Sequence, residues 1–150
     1  MKKVLVMLTL ILSLGLASKA QNKTVIQAGV GVTNNVFTQD FAVGTTDGKN
    51  TVSVIGSTFN IVKDRKYQAG VKFERKVLVS NTISVSPSAD VKVGLNKGPK
   101  ALVFSPGASV NLALSKAVAL NVSVSTPISE NLKLFNPTLL KSGVGLSVTL

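Results

Sequence analysis

Five charged residues fall at a spacing of two in the middle of the chain: Lys72, Glu74 and Lys76, then Asp90 and Lys92. In an extended strand alternate side chains share a face, so each set projects to one side. Such charges could bind an anion, line an aqueous path, or pair with one another inside a narrow interior, where a lone charge would be costly. Chemistry beyond that is poorly supplied. The chain has no His, which removes the usual general base and the commonest metal ligand. It has no Cys, hence no thiolate, no disulfide and no lipid-attachment cysteine. The six acidic residues are scattered, with no metal-ligand spacing. Gly29-Val30-Gly31 and Gly143-Val144-Gly145 lack the third glycine and the following helix that phosphate binding needs, and no Gly-x-Ser-x-Gly elbow occurs. No catalytic, cofactor or metal site is expected.

The segments that must hold these charges read as strands. Period-2 alternation with β-branched residues and short turns runs through nearly all of residues 24–150. Strands are expected at Thr24–Thr33, Val36–Val43, Thr51–Val62, Lys66–Val79, Thr82–Leu95, Lys100–Leu114, Val118–Thr126 and Leu139–Leu150. Turns fall at Asn34–Asn35, Thr46-Asp47-Gly48 and Lys63-Asp64-Arg65. That is about eight strands in up-and-down order, with no crossover long enough for parallel pairing. Parity sets the register. Odd-numbered Val71, Phe73, Val77 and Val79 match odd-numbered Ile83, Val85, Val91 and Val93 across Ser80-Asn81-Thr82. Val71 then faces Val91, and Lys72 faces Asp90 as an expected ion pair. Even-numbered Val110, Leu112 and Leu114 likewise match Val118, Leu120 and Val122 across Ser115-Lys116-Ala117, placing Asn111 opposite Asn121 and Ser109 opposite Ser123. Gly98-Pro99 supplies a two-residue turn where the parity changes.

The start of the chain reads as an export signal. Met1-Lys2-Lys3 is basic, Val4 to Leu16 is apolar, and Ser18 and Ala20 form the small pair before a cut between Ala20 and Gln21. The apolar run is shorter than the roughly 20 residues of a spanning helix. Residues 1–20 are thus expected to be a cleavable signal peptide, and residues 21–150 a single domain. The formal net charge of +11 points, for an exported chain, to anionic lipid or surface polysaccharide and not to nucleic acid.

One strand face is aliphatic, the other Ser, Thr, Asn and Gly with scattered charges. A soluble sandwich would turn the aliphatic face inward; a transmembrane barrel would turn it to lipid. Alternation alone leaves both open. Three features favour lipid. The strands are long against roughly 5–6 residues for an ordinary strand, the polar face is rich in small residues such as Gly70, Ser84, Ser86, Ser88, Ser105 and Gly107, and the chain ends in a strand, Gly145-Leu146-Ser147-Val148-Thr149-Leu150.

With its hairpin Ser105-Pro106-Gly107-Ala108-Ser109-Val110-Asn111-Leu112-Ala113-Leu114-Ser115-Lys116, continuing to Val124, and its closing Gly143 to Leu150 segment, the chain resembles small eight-stranded outer-membrane β-barrels of the OmpA/OmpX-like type. It departs from them in ending on Leu150 and not an aromatic residue, and in carrying one Tyr, six Phe and no Trp. The resemblance implies an all-β, up-and-down antiparallel transmembrane barrel in the cell outer membrane. It also implies a terminal strand read by the barrel-insertion machinery, and a non-enzymatic structural or surface-interaction role, with outer-membrane lipid and lipopolysaccharide as partners and a monomer as the expected state. A soluble, exported β-sandwich binding module in the periplasm, or a small passive porin-like pore, are the other readings. In the barrel, Lys72, Glu74, Lys76, Asp90 and Lys92 would be lumenal and fill the interior. Arg75, whose parity puts it on the aliphatic face, would snorkel at a rim. Outer loops near Asn34, Lys63–Lys66, Asn96–Lys100 and Pro127–Thr138 would present Lys63, Arg65, Lys66, Lys97, Lys100 and Lys133.

Overall fold

The structure, a computed structural model, describes residues 23–33, 36–61, 64–95, 102–129 and 140–150. Ten strands make up the described secondary structure: β1 (Lys23–Thr33), β2 (Val36–Thr46), β3 (Asn50–Ile61), β4 (Asp64–Arg75), β5 (Val77–Leu78), β6 (Ile83–Gly94), β7 (Leu102–Ala113), β8 (Val118–Ser125), β9 (Ile128–Ser129) and β10 (Lys141–Thr149). All pairings are antiparallel. They run from β6 through β4, β3, β2, β1, β10 and β8 to β7, and a final β6–β7 pairing closes the ring. The short β5 and β9 continue β4 and β8 in the same registers, so the architecture is a closed barrel of eight strands. β1 and β10 join the two ends of the chain, with Gly29 opposite Gly145 and Gly31 opposite Gly143.

The two interruptions share a cause. Hydrogen-bonded pairs alternate along an antiparallel ladder. Leu95 N–H donates to the Tyr67 carbonyl, and Val79 N–H to the Ile83 carbonyl. Arg75 and Pro87 fall on the same alternation and should exchange both bonds, but Pro87 has no N–H to give. The ladder opens there, between β4 and β5, while the Lys76 N–H, which faces β3, continues the β3–β4 register by donating to the Lys49 carbonyl at 2.6 Å. Pro106 does the same to β8: Thr126 N–H donates to its carbonyl at 3.0 Å, and no return bond is possible. The single strands expected at Lys66–Val79 and Val118–Thr126 are therefore each broken near one end, without a change of register.

The parity arguments hold. Val71 pairs with Val91 and Lys72 with Asp90; Asn111 pairs with Asn121 and Ser109 with Ser123. β2 extends to Thr46, beyond the expected Val43. Asp64, Arg65 and Lys66 belong to β4, where a charged turn and outer loop were expected, because their backbones pair with Ile61, Asn60 and Phe59. Arg75 ends β4 opposite Asn50 at the edge of the barrel, the rim position that snorkelling requires. Asn34–Asn35, Gly98–Pro99 and residues 130–138 of the Pro127–Thr138 connection lie outside the described residues, as do residues 1–22, which include the expected signal peptide.

Burial runs opposite to that of a soluble domain. Phe41, Val110 and Leu146 are 56%, 49% and 49% exposed, whereas Ser57 and Ser109 on the other face are 3% and 4% exposed. Among the described residues the buried apolar side chains are few: Val25, Ala42 and Ile55, with Ala42 directly opposite Ile55. The aliphatic face points out of a single closed cylinder, and hydroxyls and charges fill it. Two stacked sheets with an oily middle are not what this chain forms.

Candidate functional site

The lumen is built by every second residue of each strand. On β4 these are Gln68, Gly70, Lys72 and Glu74, opposite Gly94, Lys92, Asp90 and Ser88 of β6, whose lumenal face continues through Ser86 and Ser84. Gly70 faces Lys92, and a Cβ there would collide with the Val91 carbonyl. Glycine thus lets the β6 backbone and its lysine approach.

Six charges gather in the middle of the lumen, three lysines and three carboxylates. Lys72 Nζ lies 2.9 Å from Glu74 Oε1, Lys92 Nζ 3.3 Å from Asp90 Oδ1, and Lys141 Nζ 2.5 Å from Asp40 Oδ2. The sequence placed the first four of these together. The expected Lys72–Asp90 ion pair is not the one formed: those two backbones are opposite, but Lys72 and Lys92 each pair along their own strand with the carboxylate two residues away. Asp90 Oδ1 has an ion-pair contact with Lys92 without hydrogen-bond alignment. Lys76 stands apart from the set, exposed at the break between β4 and β5, where it lines the mouth of the barrel.

Asp40, Lys141 and Gln27 are central residues that the sequence reading did not single out. Asp40 accepts a 2.6 Å hydrogen bond from Ser57 Oγ as well as its lysine. Lys141 Nζ also lies 5.9 Å from the centre of the Phe59 ring, within cation–π range. Gln27 Nε2 on β1 donates to Glu74 Oε2 on β4 at 2.7 Å, across two intervening strands. Parity carried a signal for all three. Asp40 alternates with Phe37, Phe41 and Val43, and Lys141 and Gln27 share the face of Gly143, Gly145 and Gly29. Around the opposite wall, Asn111 donates to Ser86 at 2.9 Å, and Asn121 donates to Asn111 at 2.7 Å.

These groups divide the interior. A small space of about 90 Å³ surrounds the six charges, and a larger one of about 330 Å³ opens at the end where β1 begins and β10 ends, called proximal below. Gln27, Glu74 and Asn121 line both, so they form the wall between them. The proximal turns are tight. In the β2–β3 turn the Asp47 carboxylate accepts from the N–H groups of Lys49 and Asn50 at 2.8 and 2.6 Å and from Asn50 Nδ2 at 3.0 Å. These bonds, those from Asn50 foremost, lower the Asp47 pKa to about 2. Gly48 sits at φ 91°, a left-handed conformation that suits glycine in such a turn. Of the basic residues expected at the other end, Lys66 is exposed near the start of β4. The Arg65 side chain and Lys63, Lys97, Lys100 and Lys133 lie outside what the structure describes.

An eight-stranded closed cylinder with an apolar exterior and a polar, charge-paired interior is the fold of small transmembrane β-barrels. Solved structures of that class superpose on it. A de novo designed transmembrane β-barrel does so with TM-score 0.65 at 14% identity, covering 89% of this chain and 98% of that one. Neisserial surface protein A gives 0.59 at 11% identity, covering 86% and 96%. The outer membrane protein Ail of Yersinia pestis, in a phospholipid bilayer nanodisc, gives 0.56 at 7% identity, covering 87% and 100%. At these identities the likeness is one of fold. No protein-family model and no curated protein sequence matches the chain.

Proposed function

We propose that this chain is exported by its first twenty residues and resides in the outer membrane as a non-enzymatic barrel, serving the envelope structurally or through surface contacts. The observation that carries this reading is the reversed burial. Residues such as Phe41 and Val110 gain nothing from water, and every strand turns them outward, so an acyl-chain environment is what makes the cylinder stable. The likeness to Neisserial surface protein A and Ail supports the location. The lumen supports a scaffold in preference to a pore, because three cations are matched by three anions and Gln27 bonds Glu74 across it.

The partners proposed are outer-membrane lipid, lipopolysaccharide phosphates near Lys63, Arg65, Lys66, Lys97, Lys100 and Lys133, and the insertion machinery acting on β10. Separation of membranes from soluble periplasm after expression tests the reading. Recovery in the outer membrane, with heat-modifiable migration on gels, is expected. A soluble periplasmic monomer obtained without detergent would overturn it.

A further inference from the structure

The charge balance of the central lumen does not extend to its proximal mouth. Lys23 at the start of β1, Lys76 at the break between β4 and β5, and Lys116 in the turn between β7 and β8 all line the 330 Å³ cavity. Among the described residues one carboxylate, Glu74, shares that lining, and it is already held by Lys72 at 2.9 Å and by Gln27 at 2.7 Å. Three lysines, all exposed, therefore contribute to the lining of a cavity whose walls include the hydroxyl residues Ser84, Ser147 and Thr149. Like charges gathered around one opening repel one another unless something neutralises them. Ammonium groups at a rim with hydroxyl donors behind them are the recognition chemistry of an oxyanion. The volume suits a small molecule, at the lower end of the roughly 300–1,000 Å³ of ligand sites. Lys76 is at this mouth by register: its N–H donates to the Lys49 carbonyl, continuing the β3–β4 pairing, and it shares the lumenal parity of Lys72 and Glu74.

We propose that the proximal vestibule binds a small oxyanion of the phosphate class, with Lys23, Lys76 and Lys116 as its cationic rim and Ser84, Ser147 and Thr149 as wall donors. The phosphate is either that of a free ester or that of an anionic lipid headgroup at the same membrane face. The site is a property of the folded barrel, so it can be tested in micelles without reference to where the protein resides in the cell.

The test uses the folded chain in zwitterionic detergent, titrated with inorganic pyrophosphate while the amide resonances of Ser84, Ser147 and Thr149 are followed. Saturable shifts are expected, weakened at least tenfold in Lys76→Ala/Lys116→Ala and kept in Lys76→Arg/Lys116→Arg, with heat-modifiable migration showing that each variant is folded. A second arm places the protein in nanodiscs with and without phosphatidylglycerol. Shifts of the same residues on adding that lipid, with no further response to pyrophosphate, assign the site to a headgroup; a full pyrophosphate response there assigns it to a free anion. Absence of saturable shifts in both arms overturns the proposal. So does an equal response to sodium chloride at matched ionic strength, or an unchanged affinity in the alanine variant.

Discussion

At the scale of single residues, the charges divide into those that hold a turn and those that fill the barrel. Asp47 belongs to the first group. Its folded pKa, about 2, lies below the ordinary 3.8, so its contribution is fully present above about pH 4 and is lost as the pH falls through about 2. The Lys49 and Asn50 amide resonances should therefore report a titration with a midpoint near pH 2 that Asp47→Ala abolishes. The lumenal pairs behave differently. Lys92 is 4% exposed and its partner Asp90 10%. Lys92→Met, which leaves a carboxylate without its cation, should cost about 3–5 kcal/mol in urea unfolding from micelles. The double variant Lys92→Met/Asp90→Leu should recover much of that loss, because no lone charge remains.

At the scale of elements, two prolines and one glycine set how the strands meet. Pro87→Ala returns an N–H to the one position where β6 cannot donate to β4. The expected results are a slowly exchanging amide at residue 87 and a gain of about 0.5–1.5 kcal/mol. Fast exchange at that amide would show that something other than the missing donor opens the ladder. Gly70→Val acts in the opposite direction. Its Cβ would meet the Val91 carbonyl and the Lys92 Cα, and backbone cannot step aside as a side-chain tip can. This variant should fail to give the folded, heat-modifiable form.

At the scale of the whole molecule, the decisive property is which medium each face meets. Val144, 49% exposed, lies near the middle of β10, whereas Val79, 66% exposed, lies at the proximal edge. In a bilayer, Val144→Lys should cost about 2–4 kcal/mol and Val79→Lys about 0–1, measured by reversible unfolding in the presence of lipid. Equal, small costs at both positions would mean that the aliphatic face does not meet acyl chains.

The amino-acid sequence by itself determined the strands, their antiparallel order and much of their register. Alternation has a period of two, and matching apolar parity across Ser80–Thr82 and Ser115–Ala117 leaves one in-register pairing for each hairpin. Lys72, Glu74, Asp90 and Lys92 were legible as one cluster for the same reason, since each hairpin is local. The tertiary structure alone decided what local pairing does not reach. Asp40 and Lys141 are 101 residues apart and meet because β1 pairs with both β2 and β10, a closure that no hairpin argument contains. The choice of Glu74 over Asp90 as the partner of Lys72, and of Gln27 as the group that spans the lumen, rests on side-chain reach inside a cylinder whose width is set by eight strands closing together. Closure also fixed which face looks outward. Alternation makes two unlike faces; only a ring, which has an inside too narrow for the apolar set and an outside open to lipid, assigns each its medium.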